Sequence, residues 1–304
     1  MEQEWCMTVS DQSEIYVKKW FKPNIAPKAI VQLSHGMAEH VNRYDAFATF
    51  LVNNGIFLYG NDHRGHGYTS DKQGQLGYFA DKNGFMKVTS DLYELTRIIK
   101  EEYPRTPIFL LGHSMGSFLA RKYIQDYSHL INGVILAGTG YHTKSATQVA
   151  KWIAKKLPPK EASHLLNKLV FQAYNRKIPN NTTSFDWLSR DAESVRRYIA
   201  DPYSGFIPTA RFFHDLMDGL QMIQQKKANL HIRKGLPMFI VSGDADPVGD
   251  YGKGIWKTAH QYRNIGLTDV KVMLFEGARH ELINETNKQE VYETIYNWIC
   301  HQLT

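Results

Sequence analysis

Over residues 1–140, short apolar runs alternate with amphipathic stretches. The segment 14–20, EIYVKKW, alternates like a half-buried strand. The runs 29–35 (AIVQLSH) and 55–60 (GIFLYG) are short, apolar and β-branched or aromatic, as buried strands are. Residues 41–53 place Tyr44, Phe47, Ala48 and Leu51 at i, i+3, i+4 and i+7, which predicts a helix. Residues 85–101 do the same with Val88, Leu92, Leu95, Ile98 and Ile99. The run PIFLLG then leads through GHSMG into SFLARKYIQDY, a strand, a corner and a helix, and INGVILAG (131–138) is a further strand.

After residue 140 the alternation stops, and residues 145–230 read mostly as helices: TQVAKWIAKKL, EASHLLNKLVFQAY, AESVRRYIA and TARFFHDLMDGLQMIQQ. It resumes with PMFIVSG (237–243), a helix near 250–263, the strand VKVMLFEG (270–277) and a last helix across 287–302. Strands alternating with helices predict a mostly parallel sheet flanked by helices, an α/β fold. The expected organisation is a core of residues 1–140 and 231–304, with a helical lid inserted at 141–230.

Composition sharpens this division. The chain of 304 residues carries a net charge of +6. Residues 141–230 hold 14 Lys/Arg and 7 Asp/Glu, a local +7, so the remainder is near −1. The stretch 145–160 sets Val149, Trp152, Ile153 and Leu157 on one face, with Lys151, Lys155 and Lys156 elsewhere. A basic amphipathic helix fits transient contact of the lid with a membrane surface; packing onto the core is the competing use of the same face. No run approaches the roughly 18 apolar residues of a membrane span. The acidic, polar N-terminus lacks the features of a secretion signal, so a cytoplasmic location, peripheral to a membrane at most, is expected. Cys6 and Cys300 suggest free thiols rather than a disulfide framework. Neither zinc-finger spacing nor a basic tail suggests nucleic acid.

In an open parallel sheet, ligands bind beyond the carboxyl ends of the strands. Four loops there carry candidate chemistry: SHGMAEH, GHSMG, SGDADPV and EGARHEL. A serine hydroxyl needs a base, and that base an orienting acid, before it can attack an ester. Ser114 stands in a G-x-S-x-G corner, Asp246 follows 132 residues later, and His280 lies 34 beyond that. Serine, then acid, then histidine is the chain order of an α/β-hydrolase nucleophile elbow. Spacing alone leaves Asp244 and Asp246 both open as the acid. Main-chain N–H donors for a developing oxyanion are expected from Met115, after the nucleophile, and from Met37 in the HGM loop. His63 and His66 have ligand-like spacing, but no carboxylate or cysteine cluster completes a metal site, and no second histidine follows HEL at 280.

The stretches LSHGMAEHVNRY (33–44), GNDHRGHGYTS (60–70), LLGHSMGSFLARKYI (110–124), SGDADPVG (242–249) and EGARHELINE (276–285) resemble the monoacylglycerol lipase and lysophospholipase branch of the α/β-hydrolases. FDWLSRDAESVRRYIADPYSGF (185–206) also resembles bacterial lid sequences of that group. The resemblance implies ester hydrolysis by a serine triad without cofactor, on a small-molecule or lipid ester. It places the acid at Asp246, through a G-x-x-D pattern, and the early oxyanion donor at Met37. Lid aromatics such as Phe171, Tyr174, Trp187 and Phe206 are candidates to line an acyl pocket, with lid core the favoured use of most of them. A short-chain esterase, peptidase or acyltransferase would use the same triad, and a catalytically silent binding protein would use the same fold.

Overall fold

The computed structural model describes residues 1–304. In chain order its elements are β1 (Glu2–Thr8), β2 (Glu14–Trp20), β3 (Ala29–Ser34), α1 (Asp45–Asn53), β4 (Ile56–Asn61), α2 (Gly67–Gln73), α3 (Gly84–Glu102), β5 (Ile108–His113), α4 (Met115–Tyr127) and β6 (Gly133–Ala137). Five helices follow: α5 (Lys144–Ala154), α6 (His164–Phe171), α7 (Ala192–Ala200), α8 (Ala210–Met222) and α9 (Lys226–Asn229). The chain closes with β7 (Met238–Gly243), α10 (Lys253–Arg263), β8 (Val270–Phe275) and α11 (Lys288–His301).

The eight strands form one sheet in the order β1-β2-β4-β3-β5-β6-β7-β8. β1 and β2 run antiparallel at one edge, and every pairing from β4 through β8 is parallel. Side-chain alternation explains why the central strands read as continuous apolar runs. Ile108 and Leu110 of β5 enter one core layer, and Phe109 and Leu111 the other. β6 and β7 repeat the division, with Val134, Leu136, Met238 and Ile240 on the first face and Ile135, Ala137, Phe239 and Val241 on the second. α1 and α11 cover the second face; α3, α4 and α10 cover the first. Each fully buried side chain of this size stabilises the fold by about 1.5–3 kcal/mol.

Two elements carry no periodic signal in the sequence. β1 is polar (EQEWCMT) and gains its ladder from β2, where the buried Lys18 ammonium meets Glu2 at 2.9 Å and Asp45 at 3.0 Å. α2 is GYTSDKQ; Asp62 holds its first turn, accepting from Tyr68 N at 2.8 Å.

The five helices between β6 and β7 do not form a separate body. Phe212, Phe213, Leu216, Met217 and Leu220 of α8 belong to the first core layer. The apolar face expected over 145–160 divides: Ile153 on α5 and Leu157, beyond the helix end at Ala154, pack against that layer, whereas Val149 and Trp152 stay 60% and 64% exposed.

His35, His63 and His66 stack where β3 and β4 end, with His35 and His63 ring centroids 4.1 Å apart. Burial depresses the pKa of His63 to about 3 and of His66 to about 4. The unfolded chain protonates such a group below about pH 6.5, so each favours unfolding as pH falls from there toward its folded value, by about 1.4 kcal/mol per pH unit. His66→Gln should therefore flatten the dependence of urea-unfolding stability on pH between 6.5 and 4 by about that slope. An unchanged slope would contradict this reading.

Candidate active site

Ser114 follows β5 directly and caps α4 with φ 52° and ψ −119°. A side chain rarely adopts φ in this range, so the corner must be held from both sides. A Cβ at Gly112 would collide with the carbonyl of Gly116, and one at Gly116 with the carbonyl of Ser34. The two glycines therefore let helix and strands approach closely. The Ser114 N–H donates to Ala137 O at 2.9 Å, and its carbonyl accepts from Ser117 N at 2.9 Å. The strained conformation is thus tied to the neighbouring strand and to its own helix.

Asp246 is fully buried in the loop after β7. Its Oδ2 lies 3.0 Å from His280 Nδ1 and accepts from Ser242 Oγ at 3.2 Å, while Oδ1 accepts from Val248 N at 2.8 Å. Asp244, the alternative left open by spacing, is exposed and accepts from Gly277 N at 2.7 Å. It braces the loop after β8 and does not reach the histidine. Burial disfavours a charged His280, but the adjacent Asp246 carboxylate outweighs it and holds the imidazole pKa above the usual value. The bond at Nδ1 leaves Nε2 as the nitrogen for proton exchange.

Ser114 and His280 line one chamber of about 410 Å³ together with Met37 and Met115. Ser114 Oγ makes no hydrogen bond to the histidine in this conformation. The Met37 N–H has no main-chain acceptor, and the Met115 N–H, at the start of α4, has none within its helix. His113, the last residue of β5, is buried with its ring centroid 4.8 Å from that of His280. Burial and His280 hold its pKa well below the usual value, so it stays neutral.

Of the 32 residues lining the chamber, 21 are hydrophobic, which makes it a site for an apolar ligand. α5 and α6 contribute Ala146, Ala150, Leu166 and Val170, and Phe171, Tyr174, Trp187 and Phe206 all reach it. Three of these four aromatics do two jobs, because Phe171, Tyr174 and Trp187 also belong to a small cluster with Leu188 and Tyr198.

An ionic network that puts Glu39 and Glu281 into the chamber wall was not visible in the sequence. Arg43 binds Glu281 through two contacts of 2.5 and 2.7 Å and reaches Glu39 at 3.0 Å. Glu39 in turn accepts from Gly36 N and from Tyr44 OH at 2.9 Å. The loop carrying Met37 is thereby fastened to the residue after His280. Glu39 and Arg43 sit four apart in the sequence, but their partner is 238 positions from Arg43.

One group of possible metal ligands exists, His214, Asp215 and Asp218 on α8. Asp215 is paired with Arg211 at 2.9 Å, Asp218 with Lys151, and none of the three lines the chamber. The three histidines His35, His63 and His66 are not joined by a carboxylate ligand set.

The family described as "Serine aminopeptidase, S33" matches residues 25–287. A "Monoglyceride lipase homolog" of Monkeypox virus is 28% identical, covering 98% of this chain and 98% of its own. The "Monoacylglycerol lipase" of Mycolicibacterium smegmatis is also 28% identical, over 92% of this chain and 91% of its own. Among solved structures, a thermostable carboxyl esterase from Bacillus coagulans, in complex with glycerol, superposes with a TM-score of 0.91 at 28% identity, covering 100% of this chain and 99% of that one. A buried acid–histidine pair, a strained serine corner and a match spanning nearly the whole core converge: the chain belongs to the serine aminopeptidase S33 family of α/β-hydrolases, as a monoacylglycerol lipase-like member.

Proposed function

We propose that the protein is a serine hydrolase of single-chain lipid esters, of the monoacylglycerol or lysophospholipid type, working through an acyl-enzyme. The observation that carries this reading is the apolar chamber that shares Ser114 and His280 among its walls. The acyl chain enters the chamber, which brings its ester carbonyl to Ser114 Oγ. As the Oγ–C bond forms, His280 Nε2 takes the hydroxyl proton, and Asp246 stabilises the resulting imidazolium. The carbonyl oxygen becomes an oxyanion facing the Met37 and Met115 N–H groups. Collapse breaks the ester C–O bond, and His280 returns its proton to the departing alcohol. Water, deprotonated by the same nitrogen, then attacks the acyl-Ser114 carbonyl; the C–Oγ bond breaks, His280 returns the proton to Ser114 Oγ, and the fatty acid leaves.

The family's description raises a peptidase alternative. An aminopeptidase needs a free carboxylate for the substrate amine. Glu39, the acid nearest the expected oxyanion loop, is already engaged by Arg43, Tyr44 and the Gly36 N–H. The ester reading requires no such anchor.

In this reading residues 141–230 act as a lid over the chamber, and its outer side touches membranes. Val149 and Trp152 on α5 and Leu165 and Leu169 on α6 are exposed by 51–64%. The exposed Lys144, Lys155, Lys156 and Lys168 accompany them. Apolar side chains that insert, surrounded by cations that meet anionic headgroups, fit an interfacial surface. No helix is long and apolar enough to cross a membrane.

A fluorophosphonate probe should label the wild type and leave Ser114→Ala unlabelled; labelling of the alanine variant would place the nucleophile elsewhere. Asp246→Asn should lower kcat by about 10⁴ while Asp244→Asn stays within about twofold, and near-normal turnover of the Asp246 variant would remove it from the mechanism. For p-nitrophenyl esters, kcat/KM should rise about fourfold per added methylene until the chamber is filled, the equivalent of about 0.8 kcal/mol each. A flat chain-length profile would contradict acyl binding there. Sedimentation with vesicles of phosphatidylcholine containing phosphatidylglycerol should capture the wild type, and Lys155→Gln with Lys156→Gln should weaken partitioning about tenfold or more. Equal partitioning of the double variant would refute the interfacial role.

A further inference from the structure

The stretch 186–190 lies between α6 and α7, far in sequence from the catalytic loops, yet its main chain is built into the loop that carries His280. The His280 N–H donates to Trp187 O at 3.4 Å and the Glu281 N–H to Leu188 O at 2.7 Å. From the other side, the Arg279 guanidinium donates to Asp186 O at 2.6 Å and Ser189 O at 2.9 Å. Glu285, with no exposed surface, locks the pair: it accepts from Arg190 N at 3.0 Å, Arg190 Nε at 2.9 Å and Arg279 N at 2.9 Å. The result is a strap whose position and that of the histidine loop are one.

The strap sets the ring of Trp187 against the catalytic imidazole. The two ring centroids are 5.0 Å apart with planes inclined at 40°. Trp187 is 6% exposed and is held in turn by Tyr174 at 4.8 Å and Phe171 at 5.8 Å. A cation within about 6 Å of an indole face is attracted by the ring's quadrupole, most strongly where water is excluded. Above its own pKa His280 rests neutral, and there the imidazolium forms only as Ser114 gives up its proton, so such an attraction favours the transition state over the active resting form; below that pKa the same attraction holds a proton on the resting imidazole, which the acid limb of a pH profile reads.

We propose that Trp187 is a positioning residue for the hydrolytic reaction: supplied by the helical stretch between β6 and β7 rather than by the sheet, it orients His280 and stabilises the imidazolium formed during acyl transfer. The inference rests on His280 being the base for Ser114. It means that the segment covering the chamber also completes the catalytic group and is not a removable cover. The other groups near His280 are Asp246 from the loop after β7, Glu281 beside it, Glu39 from the loop after β3 and the neutral His113 at the end of β5. They stay in place when position 187 alone is changed, so a change in titration there reports on the indole.

The test uses p-nitrophenyl acetate, whose acyl group is too short to depend on the chamber wall. Trp187→Leu should lower kcat/KM about three- to tenfold and move the acid limb of its pH profile down by about half to one unit, the same free energy read in two ways. Trp187→Phe, keeping an aromatic face, should lose less than about threefold. Site-specific replacement of Trp187 by tryptophans of increasing fluorine content keeps the ring's shape while emptying its face of charge, and serves if the leucine variant fails to fold. The acid limb should then step downward with each fluorine. An acid limb that does not move along the fluorine series, with thermal unfolding midpoints unchanged, overturns the proposal. Hydrolysis that survives Ser114→Ala would instead overturn the triad itself, an outcome separate from the first.

Discussion

The candidate site depends on how Ser114 is held at the corner between β5 and α4. Its φ of 52° is a conformation a side-chain-bearing residue does not choose. The surroundings enforce it. Close approach at Gly112 and Gly116 brings α4 against β3 and β5, and the Ser114 N–H is tied to β6. Two fully developed core layers on either face of the sheet hold these strands in register. The stability of the core is thus converted into a fixed position for one hydroxyl group, with the N–H of Met115 beside it at a helix start.

The same sheet brings the remaining groups to one end. The loops after β3, β7 and β8 emerge on the side where Ser114 stands, as parallel strands require. What the strands leave loose, buried polar contacts fix. Asp246 orients His280, and Arg43 joins the Met37 loop to the histidine loop through Glu39 and Glu281. Arg190, Arg279 and Glu285 do the same for the stretch that carries Trp187. Asp246, Glu39, Glu281 and Glu285 are buried and each accepts several hydrogen bonds, so removal of a partner would strand a buried charge, whereas Arg190 keeps 32% of its side chain exposed.

The sequence made the corner legible because steric need leaves a trace: only glycine fits at 112 and 116, and the apolar run of β5 marks where the strand ends. Strand and helix order was readable for the same reason, since burial on two faces demands continuous apolar runs. β1 and α2 escaped because their stability comes from partners, a neighbouring strand and Asp62, rather than from their own periodicity. Asp244 and Asp246 could not be separated by spacing, since two residues of loop carry no directional pattern; resemblance favoured Asp246, and the backbone turns only that carboxylate toward His280. The stretch 145–160 reads as one apolar stripe, but packing divides it, with Ile153 and, past the end of α5, Leu157 inward and Val149 and Trp152 outward. Contacts such as Arg43 with Glu281, or Trp187 with His280, join residues with no local relation and become visible only in three dimensions.

The proposed reaction requires Ser114 to carry the acyl group covalently during turnover. The direct test is to mix the wild-type protein with p-nitrophenyl decanoate, quench in acid within milliseconds and locate any adduct by mass spectrometry of its peptides. The expected result is a burst of p-nitrophenol matched by a decanoyl group on Ser114. Turnover with neither burst nor adduct, or an adduct on a different side chain, would contradict it.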